Sequence, residues 1–243
     1  MPEQSRSAAA VWSEPGFAAA WAGADPAGEH DLLALPRRIA ARLIAAELPA
    51  PRVVVDIAAG PGGFLEVLLD AFPGARGIWL DASAPMRELA GERLARFGDR
   101  VDFRLGDMVD PAAAGLAEGG ADVVLSSRAS HHLSGGELRA FYRGAAALLA
   151  PGGWFANLDH IGPVDAWDRR YRAVRRAMAP ANRQAAPPHH HDYPLAGAAE
   201  HLDALRSAGV LDADIAWKAF FTCLFIGRAA PAQPAADPTR PHP

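Results

Sequence analysis

The chain has 243 residues, of which 50% are hydrophobic and 21% charged, and its formal net charge is -4. That length suits one large domain or a domain with a small cap, and the balance is ordinary for a globular protein. It excludes bulk electrostatic attraction to nucleic acid, and no apolar run approaches the roughly 20 residues that cross a bilayer. The start, Met1-Pro-Glu-Gln-Ser-Arg-Ser7, is polar with no signal-like apolar core after it, so a cytoplasmic location is expected. A single cysteine, Cys223, excludes a disulfide within the chain and a cysteine zinc cluster.

Residues 1 to about 30 mix Ala, Gly and Pro with Trp12, Phe17 and Trp21. Burial of such aromatics predicts short docked helices rather than a free tail. Leu32, Leu35, Ile39, Leu43, Ile44 and Leu48 recur at helical spacing, and Pro49 and Pro51 end that helix. Five strand-like runs follow, at 52–58, 77–81, 101–105, 121–126 and 154–159, the last after a Pro151-Gly-Gly153 turn. Helices are predicted over 64–72, from near Pro85, and over 137–149. Strands alternating with helices predict a doubly wound α/β sheet with right-handed crossovers. Apolar runs such as Val53-Val-Val55 suit parallel strands buried on both faces. Trp167, Tyr171, Val174 and Met178 then form a helical stripe, with Arg169, Arg170, Arg172, Arg175 and Arg176 on the remaining surface. A loop with His189, His190, His191, Asp192 and Tyr193 leads to a helix over about 195–208, closed by Gly209. Two strands at about 212–219 and 220–227 are expected to pair antiparallel, and the Ala/Pro-rich stretch from Ala229 lacks the apolar content to fold.

Ligands of an open α/β sheet bind beyond the carboxyl ends of its strands. Asp56-Ile-Ala-Ala-Gly60-Pro-Gly62-Gly63 stands at that end of the first strand, and Gly60 and Gly62 permit positive φ and close backbone approach. A nicotinamide-type turn needs a third glycine where this chain has Leu65, so that fingerprint fails. Asp56 places a carboxylate toward the turn. It would repel a pyrophosphate and suits a ligand carrying an ammonium and a sulfonium, as S-adenosylmethionine does. Asp81 ends the second strand, where a carboxylate accepts from both ribose hydroxyls. Its alternative role as a helix N-cap falls more simply to Ser83, nearer Pro85. Gly106-Asp107-Met108, after the third strand, sets an acceptor for an adenine amino group beside a side chain that packs on the ring.

These motifs in this order resemble those of the class I methyltransferase family. The segment Asp122-Val-Val-Leu-Ser-Ser-Arg-Ala-Ser-His-His-Leu133 is similar to the fourth-strand region of its small-molecule branch, and Ala147-Leu-Leu-Ala-Pro-Gly-Gly153 to the turn before its fifth strand. The resemblance covers roughly residues 50 to 228. It implies a seven-stranded, mostly parallel sheet with an antiparallel last strand and a helical lid. The core would span 49–228, the lid would be built from 1–48 and an insertion at about 160–195, and 229–243 would form a tail. It also implies methyl transfer from S-adenosylmethionine with release of S-adenosylhomocysteine. The cofactor would lie among Asp56, Ala58, Gly60, Gly62, Asp81, Ala82, Met86, Gly106, Asp107, Met108 and Ser126. Ala58-Ala59 departs from the Gly-Cys or Gly-Ser of many members but keeps the side chains small.

The fourth-strand tip, Ser126-Ser-Arg-Ala129, lacks the Asn/Asp-Pro-Pro-Tyr/Phe of enzymes that methylate base amino groups. Cys223, on the last strand, is away from where a cytosine-attacking nucleophile would stand. The expected acceptor is therefore a small molecule, with a protein side chain as the alternative, and no nucleic-acid or membrane partner, in a monomer or homodimer. The resemblance implies methylation at oxygen or nitrogen, with carbon as the alternative. Methyl transfer is an in-line displacement dominated by positioning, and it needs a base only when the acceptor must lose a proton. Candidates are Asp159 and His160 at the end of the fifth strand and His131 after the fourth. Alternatively one of Asp159 and His160 caps the following segment, and the resemblance makes His131-His132-Leu133 a recurrent structural segment. Arg128 is a candidate to hold an anionic group of the acceptor or to pair with a lid acid. His190 and Tyr193 are candidates to line the acceptor pocket. No metal is expected, because the neighbours His189, His190 and His191 point alternately in an extended loop. Two rival functions are aminopropyl transfer or cyclisation with the same cofactor, and non-catalytic cofactor binding on the same fold.

Overall fold

Three consecutive β-branched side chains open β1 (Val53–Ile57), and Val54, Val55 and Ile57 are at most 2% exposed. Burial on both faces places this strand inside a sheet. The computed structural model describes residues 11–24, 33–178 and 194–231. His189–His191 and Tyr193 lie outside the described residues, as do 232–243 of the expected tail. In chain order the elements are α1 (Pro15–Ala24), α2 (Ala34–Glu47), β1, α3 (Gly63–Ala71), β2 (Arg76–Asp81), α4 (Ala84–Leu94), β3 (Val101–Leu105) and β4 (Ala121–Ser127). They continue with α5 (Gly135–Leu148), β5 (Leu149–His160), α6 (Asp165–Met178), α7 (Ala198–Ser207), β6 (Asp214–Ala219) and β7 (Thr222–Arg228).

The strands form one seven-stranded sheet in the order β3-β2-β1-β4-β5-β7-β6. β1 to β5 are parallel, and β7 runs antiparallel to both β5 and β6. This is the doubly wound, mostly parallel α/β sheet with an antiparallel last strand that the sequence predicts. Strand order reverses between β1 and β4, so the crevice at their carboxyl ends is the binding position.

Alternate side chains of the sheet enter two apolar layers. On one face Val54, Trp79, Leu125, Ala156 and Leu158 pack with Leu65, Leu68 and Leu69 of α3. On the other, Val55, Leu80, Val124 and Phe155 pack with Phe141, Tyr142 and Leu148 of α5. Within the N-terminal 48 residues, α2 buries Ala40, Ala41 and Ile44 in the first layer, alongside the sheet. Trp12, just before α1, instead reaches the carboxyl-end rim, where its carbonyl accepts from Ser83 Oγ at 2.6 Å. No helix among the described residues is long and apolar enough to cross a membrane.

The starts of β5 and β7 differ from expectation. β5 begins at Leu149 rather than Trp154, and it absorbs Pro151-Gly-Gly153 as an irregular start with Gly152 at φ 75°. Its pairing with β4 shifts register between Ala121 and Val123. The close approach there explains Gly153, whose Cβ would stand 2.8 Å from the Ala150 carbonyl oxygen and 3.1 Å from that of Ala121. β7 begins at Thr222 because Phe220 and Phe221 form the hairpin loop, with Phe220 at φ 49°. Gly153→Ala is expected to lower unfolding free energy by about 1–3 kcal/mol, the usual cost of overpacking. Urea unfolding checks this; an unchanged midpoint would show that the strand start yields freely.

Candidate active site

The glycine turn is gripped from three sides. Asp81, at the tip of β2, accepts from the Gly60 amide at 2.8 Å through Oδ2 and from the Ser83 amide at 2.9 Å through Oδ1. Trp79 Nε1, from the same strand, donates to the Gly60 carbonyl at 2.8 Å. Beneath the turn, Asp56 Oδ2 accepts from the Leu65 amide at 3.1 Å, which ties the end of β1 to the first turn of α3. Gly60 and Gly62 take φ of 52° and 79°, and a Cβ on Gly62 would also meet Leu94 Cδ1 at 2.9 Å. Gly62 is therefore required by shape, whereas at Gly60 only the positive φ favours glycine.

Three non-glycine residues among those described have positive φ, and two flank the crevice: Ala58 (53°) after β1 and Arg128 (56°) after β4. Strain of this kind collects where a backbone is held for a purpose. Ala58 occupies the position where the sequence departs from the family's glycine, and its methyl is small enough for that conformation.

Ser83 caps α4, accepting from the Met86 amide at 3.2 Å, so Asp81 does not serve as the cap. Ala82 beside it is exposed, whereas Met86 is buried in the first apolar layer. Gly106 follows β3, and a Cβ there would meet Ala114 and Leu80 carbons at 2.8 and 2.9 Å. Asp107 is exposed and accepts from the Val109 amide at 3.0 Å. Met108 is half-buried against the second layer. Ser126, near the end of β4, is fully buried, and its hydroxyl has no hydrogen-bond partner among the described residues.

A second cluster stands at the carboxyl ends of β4 and β5. The fully buried Asp159 receives four donors: Ser130 Oγ at 2.5 Å, the His131 amide at 3.1 Å, His131 Nδ1 at 2.5 Å and the His160 amide at 2.7 Å. Burial works against its charge, but His131, His160 and Ser130 hold the carboxyl below its ordinary value. The three candidate bases are thus brought together: the carboxylate grips the ring of His131 and accepts from the amide of His160. The His160 ring stands 3.1 Å from Thr222 Oγ1 and is centred 5.0 Å from His131. The His132 ring is centred 4.1 Å from His131 at a tilt of 39° and meets Trp12 edge-on at 5.9 Å, so the segment before α1 reaches these imidazoles.

The residues behind this cluster did not stand out in the sequence. Asn157 donates to Ser130 Oγ at 2.9 Å and to the Tyr142 hydroxyl at 3.0 Å, and that hydroxyl stands 2.6 Å from His201 Nδ1. A signal was present: Asn157 and Asp159 are polar at i and i+2 in an apolar strand, hence on one face. Tyr142 and His201 gave none, because the tertiary fold alone joins their helices.

Burial pushes Asp56 up to about 7, against the Leu65 hydrogen bond and the nearby Arg37, while Asp81 adds to the rise. A carboxyl whose folded value exceeds its unfolded one holds its proton more tightly when folded. Stability is then lost as pH rises from about 4 to about 7. Asp56→Asn is expected to remove that component. The stability difference, variant minus wild type, should grow in the variant's favour between pH 5 and pH 8 in urea titrations. A constant difference would show that Asp56 is not perturbed.

Residues 54–153 match a family model described as a methyltransferase domain. A stretch of 115 residues is 34% identical to the hybrid PKS-NRPS synthetase mpsA of Macrophomina phaseolina, covering 46% of this chain and 3% of that protein. A shorter stretch of 51 residues is 51% identical to the ribosomal RNA small subunit methyltransferase H of Clavibacter michiganensis, covering 21% of this chain and 16% of that one. The chain therefore spans only a small part of these curated relatives. Among solved structures, the 1,6-didemethyltoxoflavin-N1-methyltransferase of Burkholderia thailandensis superposes with a TM-score of 0.60 at 19% identity, over 95% of this chain and 92% of that one. At that identity the likeness concerns the fold. The matched model makes residues 54–153 a methyltransferase domain, and the sheet ordered around this turn gives it the class I, Rossmann-like fold of S-adenosylmethionine-dependent methyltransferases.

Proposed function

We propose that this chain moves the methyl group of S-adenosylmethionine to an oxygen or nitrogen of a small-molecule acceptor, releasing S-adenosylhomocysteine. The observation that carries this proposal is the 2.5 Å contact between buried Asp159 and His131 Nδ1, at the same end of the sheet as the glycine turn.

The residues present fit the cofactor. Asp56 Oδ1 is buried without a hydrogen-bond partner among the described residues, a suitable counterpart for a cationic ligand. Gly60 and Gly62 leave the backbone open to close approach, and Asp81 offers a carboxylate for the ribose hydroxyls. Ala58, Ala82 and Met86 flank these two sites in the chain. Gly106, Asp107 and Met108 would receive the adenine, with Ser126 beneath the methionine portion. When bound, the sulfonium supplies an electrophilic methyl group. The chain's own work is to orient the acceptor, exclude water and take a proton. His131 is the group we assign to the proton. Asp159 accepts from its Nδ1–H, leaves Nε2 as the basic nitrogen, and stabilises the imidazolium that forms. Asp159 acts through His131 and is a positioning residue, and His160 completes the wall beside them. Arg128 and, outside the described residues, His190 and Tyr193 are assigned to the acceptor. The segment around α1 and that around α6 form the lid, and no nucleic-acid or membrane partner is proposed.

Incubation with methyl-labelled cofactor and a metabolite extract tests the assignment. Label in a small molecule together with S-adenosylhomocysteine is expected, and methylthioadenosine in its place would overturn it. Asp81→Ala is expected to weaken S-adenosylhomocysteine binding by about 1–3 kcal/mol in calorimetry, as charge-assisted hydrogen bonds are lost; unchanged affinity would move the ribose elsewhere. His131→Gln is expected to slow methyl transfer about 10²- to 10⁴-fold with little change in that affinity. Equal rates would remove His131 from the chemistry.

A further inference from the structure

Behind Asp159 a chain of side-chain hydrogen bonds crosses the second apolar layer from α7 to the site. Its members are His201 on α7, Tyr142 on α5, Asn157 on β5 and Ser130 after β4. His201, Tyr142 and Asn157 are fully buried and Ser130 is 1% exposed. One charge decides the direction of every bond. A carboxylate only accepts, so Ser130 donates its hydroxyl to Asp159. Ser130 must then accept from Asn157, which places the amide nitrogen toward it. The same nitrogen donates to Tyr142, whose one proton goes to His201 Nδ1. His201 is therefore neutral with its proton on Nε2, in keeping with the burial that lowers its proton affinity.

This arrangement is not the one that packing alone would select. Asn157 Oδ1 and His201 Nε2 are buried with no hydrogen-bond partner among the described residues, and a buried polar atom left unpaired is costly. His201 stacks flat on Phe225, with centroids 4.8 Å apart at 14°, where an apolar ring would fit without that cost.

We propose that His201, Tyr142, Asn157 and Ser130 form a one-way relay that sets how strongly Asp159 holds the proton of His131, and so tunes the base from a helix outside the crevice. The proposal rests on His131 as proton acceptor. Ser130 draws charge from Asp159, and each upstream donor strengthens that draw. Breaking the relay leaves more of the carboxylate's charge on His131, so the imidazolium becomes more stable and the base harder to regenerate. The other groups facing this centre are His132 and His160, whose rings adjoin His131, and Glu200 beside His201. Cys223 lies opposite Asp159 in the sheet and Tyr142 lies within the relay; burial pushes the thiol up to about 11 and the phenol higher still, so both stay neutral.

The test is nitrogen-detected NMR of the full chain with labelled histidine, read without any acceptor. The expected spectrum shows His131 protonated at Nδ1 and His201 at Nε2. Ser130→Ala is expected to raise the proton affinity of His131 about three- to tenfold, the range of one lost charge-assisted hydrogen bond. Tyr142→Phe and His201→Phe should shift it less and in the same direction, and His201→Gln, which keeps an acceptor for the tyrosine, should restore it. A role confined to packing would lower the melting temperature of these variants and leave the His131 titration in place. That result, or a proton on His201 Nδ1, overturns the relay. Because the titration needs no turnover, it can fail while His131→Gln still slows methyl transfer, and the converse result would remove the base assignment alone.

Discussion

A carboxylate with no exposed surface must be held by donors, and Asp159 is held by four. Those donors come from the end of β5 itself and from the short helical turn Ser130–His132 after β4. The requirement therefore fixes how the connection after β4 leaves the sheet, and with it the wall of the crevice. It also sets the direction of every hydrogen bond behind the wall. Replacing such a charge with apolar packing is often neutral or stabilising in other proteins, so its presence beside a binding crevice points to chemistry.

The opposite wall follows a different logic. Around the glycine turn the backbone supplies the shape, and side chains from neighbouring elements hold it there. Asp81 and Trp79 reach across from β2, and Asp56 anchors from below. Both Asp56 and Asp81 are pushed up by burial, whereas Asp159 is held down by its donors. Burial thus leaves the two acids beside the glycine turn reluctant to ionise, while donors keep the acid at the end of β5 ionised. Between the walls, the strained backbones of Ala58 and Arg128 mark the point at which strand order reverses.

The aromatic hairpin at the other edge shows how α6 is attached. Tyr171 of α6 meets Phe220 and Phe221 edge-on at 5.8 and 5.7 Å. Arg172 lies 5.2 Å over the Phe221 ring while it is also paired with Asp168. The Arg-rich helix is thus fixed through its aromatic stripe, with Trp167 and Val174 each 47% exposed along it. Such partial burial gives a helix that is positioned but weakly held, as suits an element beside a binding crevice.

Sequence by itself determined the strands, their parallel arrangement and the glycine turn, because each depends on local pattern. Runs such as Val53-Val-Val55 need burial on both faces, Gly60 and Gly62 need positive φ, and Ser83 before Pro85 needs to cap a helix. The boundaries of β5 and β7 escaped because an irregular start and a hairpin loop at Phe220 are decided by the neighbouring strand. The pairing of Asp159 escaped for a related reason. Adjacency in the chain suggests His160, but side chains alternate along a strand, and His160's ring turns toward Thr222 while the turn after β4 delivers His131 to the carboxylate. Tyr142 and His201, 59 residues apart, meet only because α5 and α7 pack on the same face of the sheet. Hydrogen bonds between distant segments have no period in sequence, so only the tertiary structure decided which buried polar groups would meet.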